Sequence, residues 1–333
     1  MLAPRALPWC RAPRGFRHRT TWRAIRASPI RERVVKARDL WARGRVLARH
    51  ILPDAPAPEN GVSARLSVTP MIFSKDRAMQ LEACLTSIST FAPYALEDIV
   101  VIFRATSPQF AEAYGTLVER HGVRLRPESD DFRRDVMEAL DRANEHVVFH
   151  TDDDVFFAAP PAAPSLPPGF AAFSLRLGLN TTYCYPTGSR QDLPSRLDRG
   201  DVFAWDWTRA DGDFAYPMSL NGHVFSRRLL GRMLARSRFA NPNELEIELH
   251  VRRHLAPRWM LAFRQSCVVS IPANIVTSTH VNRAAGTPGL TSEALNSRFL
   301  AGQRIDVGAM DFSSVQAAHQ EIPFVFAGGA ARG

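Results

Sequence analysis

From residue 66 onward, short apolar runs alternate with segments whose apolar positions recur at helical spacing. Residues 66–73 (LSVTPMIF) form an apolar run of strand length, and Arg77–Thr90 follows with Leu81, Leu85 and Ile88 on one helical face. Residues 98–103 (DIVVIF) predict a second strand. Ser107 reads as the N-cap of a helix reaching about Arg120 and closed by Gly122. Val123–Arg126 predicts a short strand and Phe132–Ala143 a helix; residues 146–149 (HVVF) then form a third buried strand running into Asp152-Asp153-Asp154. Unbroken apolar runs imply strands covered on both faces, and their alternation with helices implies a mainly parallel sheet. The expected fold class is α/β, a Rossmann-like sheet flanked by helices over residues 66–322. In such sheets ligands bind beyond the carboxyl ends of the strands, at a switch in strand order. Ser74-Lys75-Asp76-Arg77 and the triple aspartate both stand just past such ends.

The second half, residues 158–322, is less regular and opens with proline-rich residues 158–169. Phe170–Leu175 and Cys267–Ile271 read as strands, and Phe225–Ser237, Glu244–His254 and Ser292–Leu300 as helices. Residues 323–333 are expected as a tail, and no internal repeat is present.

Charge changes the picture at the other end. The 333-residue chain carries a net charge of +9. Residues 1–52 alone, with thirteen Arg and Lys36 against Glu32 and Asp39, hold +12, leaving −3 for the remainder. Within this arm Ile30, Val34, Ala37 and Trp41 fall near helical spacing among arginines, the pattern of a basic amphipathic helix that lies on an anionic membrane surface. Residues 53–65, opening with PDAPAPENG, read as a linker. A nearly neutral body argues against a nucleic-acid partner. No apolar run approaches the roughly 20 residues of a membrane helix. Cys10, Cys84, Cys184 and Cys267 form no close pair, which excludes a zinc ribbon and favours a reducing interior. The expectation is a cytoplasmic protein, peripheral on the inner membrane face.

The chemistry centres on the triple aspartate. In an extended triplet the first and third side chains share a face, so Asp152 and Asp154 are the expected pair on one Mg2+ or Mn2+ ion. With these residues the chain resembles glycosyltransferases of the GT-A fold, and more loosely family 2, over about residues 66–285. The resemblance implies nucleotide contact by Ser74, Lys75, Asp76 and Arg77, and a diphosphate held through the cation, with Asp153 beside it and Arg77 or Arg134 on phosphate oxygens. Arg104 stands where an acidic residue that reads base and ribose is usual. Asn221-Gly222-His223 matches a glycine-centred loop near acceptor and donor sugar. The stretch Asn243–Leu249 matches the acidic segment that often carries the catalytic base, with Glu244 the first choice and Glu246 the second. His280 is the third metal ligand by position. Trp205 and Trp207, with Asp213 nearby, are expected as a sugar platform. The implied activity is sugar transfer from a nucleotide-sugar donor to a carbohydrate or lipid-linked acceptor, in surface polysaccharide or glycolipid assembly. The alternatives are a sugar nucleotidyltransferase, disfavoured because residues 74–78 lack glycine, and a binding protein on a decayed transferase fold.

Overall fold

A computed structural model describes residues 67–92, 94, 96–162, 164–274 and 289–329. The chain divides into two units, Met1–Pro53 and Asp54–Gly333, and the basic arm and its expected amphipathic helix lie outside the described residues.

The first half alternates as β1 (Val68–Lys75), α1 (Ala78–Phe91), β2 (Val100–Arg104), α2 (Pro108–His121), β3 (Arg124–Pro127), α3 (Phe132–Arg142) and β4 (His146–Thr151). Then come β5 (Asp154–Phe156), β6 (Phe170–Ser174), β7 (Tyr183–Cys184), β8 (Ser189–Arg190), β9 (Arg196–Arg199), β10 (Val202–Asp206) and β11 (His223–Ser226). Helices α4 (Arg227–Leu234) and α5 (Pro242–Val251), strands β12 (Trp259–Phe263) and β13 (Val268–Ser270), helix α6 (Ser292–Leu300), β14 (Gln303–Ile305) and β15 (Phe326–Gly328) complete the described elements.

Nine strands form one sheet in the order β3-β2-β1-β4-β11-β6-β12-β10-β9. Only β11 and β10 run against the rest. Side chains alternate between two cores. Ile72 of β1 and Val148 of β4 pack with Leu81, Leu85, Leu117 and Phe299 beneath α1, α2 and α6. Met71, Phe73, Val147 and Phe149 pack on the opposite face with Val136, Leu140, Leu230 and Met233 of α3 and α4. This double burial is why the strand sequences read as unbroken apolar runs. Helix α2 is delimited as its sequence predicts: Ser107 accepts a hydrogen bond from the Phe110 N–H, and Gly122 closes it at φ 64°, in the left-handed region.

The later half departs from expectation. The expected helix over Phe225–Ser237 begins as β11, which slots between β4 and β6. Strands β9, β10 and β12 were not anticipated. Phe326–Gly328, inside the expected tail, pairs with β14.

The strand order places the site. From β1 the chain crosses to β2 and β3 on one side, then returns to β4 on the other. The switch in direction therefore lies between β1 and β4, at whose carboxyl ends stand Ser74–Arg77 and the three aspartates.

Candidate functional site

A cleft of about 1060 Å³ opens at this switch, bordered by Ser74, Lys75, Arg77, Arg104, Asp152, Asp153, Asp213, Asn221 and Glu246 among the residues expected from sequence. Its volume is at the upper end of ordinary small-molecule sites.

The aspartates do not alternate as an extended triplet. The chain turns at Asp152-Asp153 between β4 and β5, because β5 pairs with β13 and not with the large sheet. Asp152 points back toward β1. Its Oδ2 accepts from Ser74 Oγ at 2.9 Å and from the Lys75 N–H at 3.3 Å, and its Oδ1 meets Arg77 at 3.0 Å. Asp154 has no exposed surface. Its Oδ2 meets His150 Nδ1 at 2.9 Å, and its Oδ1 accepts from Asn221 Nδ2 at 2.9 Å and from Ser270 Oγ. Burial opposes its charge, but the bonds from His150, Ser270 and Asn221 hold its carboxyl below the usual range. Asp153 borders the cleft, its Oδ1 accepting from Thr151 Oγ1 at 2.5 Å. Burial, opposed by Arg77 and reinforced by Asp152 and Asp154, pushes its carboxyl up to about 6.

The expected cation pair is separated by this turn. Asp152 borders the cleft and Asp154 does not, and both carboxylates are bonded to protein partners. Asp153 Oδ2 forms a longer ion pair with Arg77 at 3.7 Å. Among the described residues no three His, Cys, Asp or Glu side chains group as a metal cradle. A site on Asp153 would be completed by phosphate oxygens and water, as magnesium commonly is. His280 lies outside the described residues.

Arg77 is the organiser of this end. Its side chain, 11% exposed, also donates from Nε to Asn274 Oδ1 at 2.8 Å. Asp76 does not reach the cleft. At φ 56° it takes the left-handed turn out of β1, and its carboxylate accepts from the Thr106 N–H and hydroxyl at 2.7 and 2.8 Å. Arg134 is exposed on the first turn of α3, reaching Ser129 Oγ at 3.2 Å, and does not border the cleft. Arg104 does, and it bonds Glu128 at 3.2 Å. Glu128, from the end of β3, thus brings a carboxylate to the place where β2 supplies an arginine.

At the opposite end, the two glutamates separate. Glu244 is part of the cap of α5: its N–H donates to Asn241 Oδ1 at 3.0 Å and its carboxylate accepts from the Ala240 N–H at 2.8 Å. It does not border the cleft; Glu246 does. Glu246 Oε1 accepts from the Leu220 N–H at 3.1 Å. Burial raises its carboxyl above the usual range against the opposing pull of the Leu220 N–H, Arg176 and Ser219.

The sugar platform is also corrected. Trp205 is wholly buried with its indole N–H on the Phe214 carbonyl, and Trp207, 4% exposed, donates to the Pro257 carbonyl. Both fill the core. Asn221 Nδ2 reaches Thr151 Oγ1 at 2.5 Å and so links Asp154 to the support of Asp153. Gly222, at φ 61°, leads into β11 with Arg176 and Val268 in ordinary contact distance of where a side chain would be, and His223 is 1% exposed and does not border the cleft.

Residues that the pattern gave no means to choose complete the site. His150 pairs with Asp154. Arg176, just past β6, is 3% exposed and bonds Ser219 at 2.6 Å and Asp213 at 3.1 Å. His319 enters from the segment beside β13. Only a position directly after a buried strand marked Arg176 in the sequence; His319 carried no signal.

No family model and no curated protein matches the chain. Solved structures with partial likeness include the mannosyltransferase PcManGT from Pyrobaculum calidifontis in complex with GDP-Man and Mn2+ (16% identity, 66% of this chain, 60% of that one, TM-score 0.31). S. aureus TarS (12% identity, 61% of this chain, 36% of that one, TM-score 0.38) and its fragment 1–349 (10%, 60% and 59%, 0.36) are two more. The matched region spans less than two thirds of each of those chains. At these TM-scores the functional reading rests on the cleft itself.

Proposed function

We propose that the chain transfers a glycosyl group from a nucleoside-diphosphate sugar to an acceptor hydroxyl. One observation carries this reading: Asp153, at the β1/β4 switch, and Glu246, on α5, border a single cleft. The base and ribose lie toward Lys75, Arg104 and Glu128, and the diphosphate lies over Asp153. Arg77 is closer to Asp152, at 3.0 Å, than to Asp153, at 3.7 Å, so Asp153 is the less neutralised of the two and the one a cation would bridge to phosphate. When bound there, Mg2+ or Mn2+ supplies positive charge against the negative charge developing on the departing diphosphate.

Glu246 takes the acceptor proton. The bond from the sugar's anomeric carbon to the diphosphate breaks as the acceptor oxygen bonds to that carbon; the diphosphate leaves with the electron pair and the proton passes to the Glu246 carboxylate. Burial makes Glu246 a stronger base than a solvated glutamate. The acceptor is a carbohydrate or lipid-linked saccharide, entering past Tyr185 and Thr187 on the β7–β8 hairpin.

Melting curves of the full chain with UDP, GDP, CDP, dTDP and ADP, each with and without Mn2+, test this reading. A ligand that binds only the folded state raises the melting temperature. One diphosphate is expected to do so in the presence of Mn2+; if none does, the donor reading fails.

A further inference from the structure

Asp154 is wholly buried and does not border the cleft, and a buried charge is costly unless it is paired and hydrogen-bonded. Its partners form a continuous chain of hydrogen bonds that ends on Asp153. On one side the Tyr94 hydroxyl meets His150 Nε2 at 2.9 Å, and His150 Nδ1 meets Asp154 Oδ2 at 2.9 Å. On the other, Asn221 Nδ2 donates to Asp154 Oδ1 at 2.9 Å and to Thr151 Oγ1 at 2.5 Å. Thr151 Oγ1 in turn donates to Asp153 Oδ1 at 2.5 Å.

The chain of bonds has a direction. An amide nitrogen carries two hydrogens and accepts none, so both hydrogens of Asn221 Nδ2 are taken. The Thr151 oxygen therefore accepts from Asn221, and its single hydrogen is left for Asp153. The amide cannot turn over, because its Oδ1 accepts from the Ser219 hydroxyl at 3.4 Å and reversal would set that oxygen against Asp154. The backbone is held as well. The Asn221 N–H donates to Ser219 Oγ at 3.2 Å, Arg176 donates to the same oxygen at 2.6 Å, and Gly222 bonds Phe149 of β4 and Leu175 after β6, both at 2.8 Å. Between Ser219 and Asn221 lies Leu220, whose N–H holds Glu246. One short turn thus carries the amide under Glu246 and the side chain that reaches the support of Asp153.

We propose that Asn221 and Thr151 are positioning residues for Asp153. By tying Oδ1 they fix the plane of its carboxylate and leave Oδ2, which among the described residues has only the 3.7 Å ion pair with Arg77, as the oxygen offered to a cation on the diphosphate. Asp154 anchors this relay from outside the cleft, and Asn221 has a task other than the acceptor contact that the resemblance implies. The inference rests on the donor reading above and adds the residues that aim its cation-binding carboxylate.

Calorimetric titration of the full chain with UDP, GDP, CDP, dTDP and ADP, each with and without Mn2+, tests the relay. Thr151→Val removes the hydroxyl at nearly constant volume. The gain in diphosphate affinity that Mn2+ confers should fall at least about tenfold, as when the partner that orients a metal ligand is lost, while affinity without Mn2+ holds. A merely structural role would lower the melting temperature and leave both affinities as they are. Thr151→Ser keeps the hydroxyl and should bind as the parent does. Asn221→Ala frees that hydroxyl to turn and should lower the Mn2+-dependent gain about fivefold, the scale of one hydrogen bond. Added to Thr151→Val it should cost nothing further, since both changes break one relay. Parent-like affinity in Thr151→Val overturns the proposal. So does a Thr151→Ser chain as weak as Thr151→Val, an equal loss without Mn2+, or additive losses in the double variant. Absence of Mn2+-dependent binding in the parent itself would overturn the donor reading, and this inference with it.

Discussion

The carboxylates of Asp152, Asp153 and Asp154 leave the chain in different directions because it turns between β4 and β5, and asparagine at each position should separate their effects. Asp153→Asn should lower Mn2+-dependent diphosphate affinity at least about tenfold, the effect of losing a charged contact, with little change in melting temperature. Asp154→Asn puts an amide donor against Asn221 and Ser270 and breaks a fully buried cluster; urea unfolding should show a loss of about 3 kcal/mol. If Asp154→Asn is as stable as the parent, or Asp153→Asn binds diphosphate normally, the division of roles is wrong. The residue types of this site were legible, but their directions were not. Alternation by two holds only while a strand continues, and nothing in Asp-Asp-Asp marks the turn.

Helix α5 resolves the choice between the glutamates. Two positions on an α-helix stand about 200° apart, so when Glu244 folds back to cap the first turn, Glu246 faces away from that cap and into the cleft. Glu244→Ala should cost about 1 kcal/mol of stability, as lost caps do, and leave kcat within about twofold. Glu246→Gln should lower kcat by about 100- to 10,000-fold, the range of lost general bases. The pH profile carries the same signature. A base works deprotonated, and burial raises the Glu246 pKa, so kcat should fall, as pH is lowered, at a pH above the ordinary glutamate range of about 4.3. An acid limb at or below that value would remove Glu246 from the role. Elements up to β4 were legible because both faces of their strands are covered and their helices carry caps such as Ser107 and Gly122. Beyond β6 the signals compete. Gly222 reads as a loop but leads into a four-residue strand, and the tryptophans of Trp205-Asp206-Trp207 read as a ligand platform but lie in the core.

Across the whole molecule the charge is unevenly divided between residues 1–52 and the remainder. Among the described residues no helix is long and apolar enough to cross a membrane; from the +12 of residues 1–52 we propose that the arm attaches to anionic lipid. The full chain should co-sediment with phosphatidylglycerol vesicles and not with phosphatidylcholine, and detach in 1 M salt, where the screening length is about 3 Å. Arg31→Glu, Arg38→Glu and Arg45→Glu together should weaken that binding; if they leave it unchanged, the arm is not the attachment.

The turn that carries Asp153 is held between two independent pairings, β4 with its neighbours in the large sheet and β5 with β13. Among the described residues, the β7–β8 hairpin at the rim forms strand pairings with itself and, through a bridge at Tyr183, with the C-terminal segment. On the proposed function, insertions or exchanges in that hairpin would change acceptor choice without disturbing the turn that carries Asp153. Diversification of such a chain should concentrate at the rim, with the donor end inherited as a fixed part.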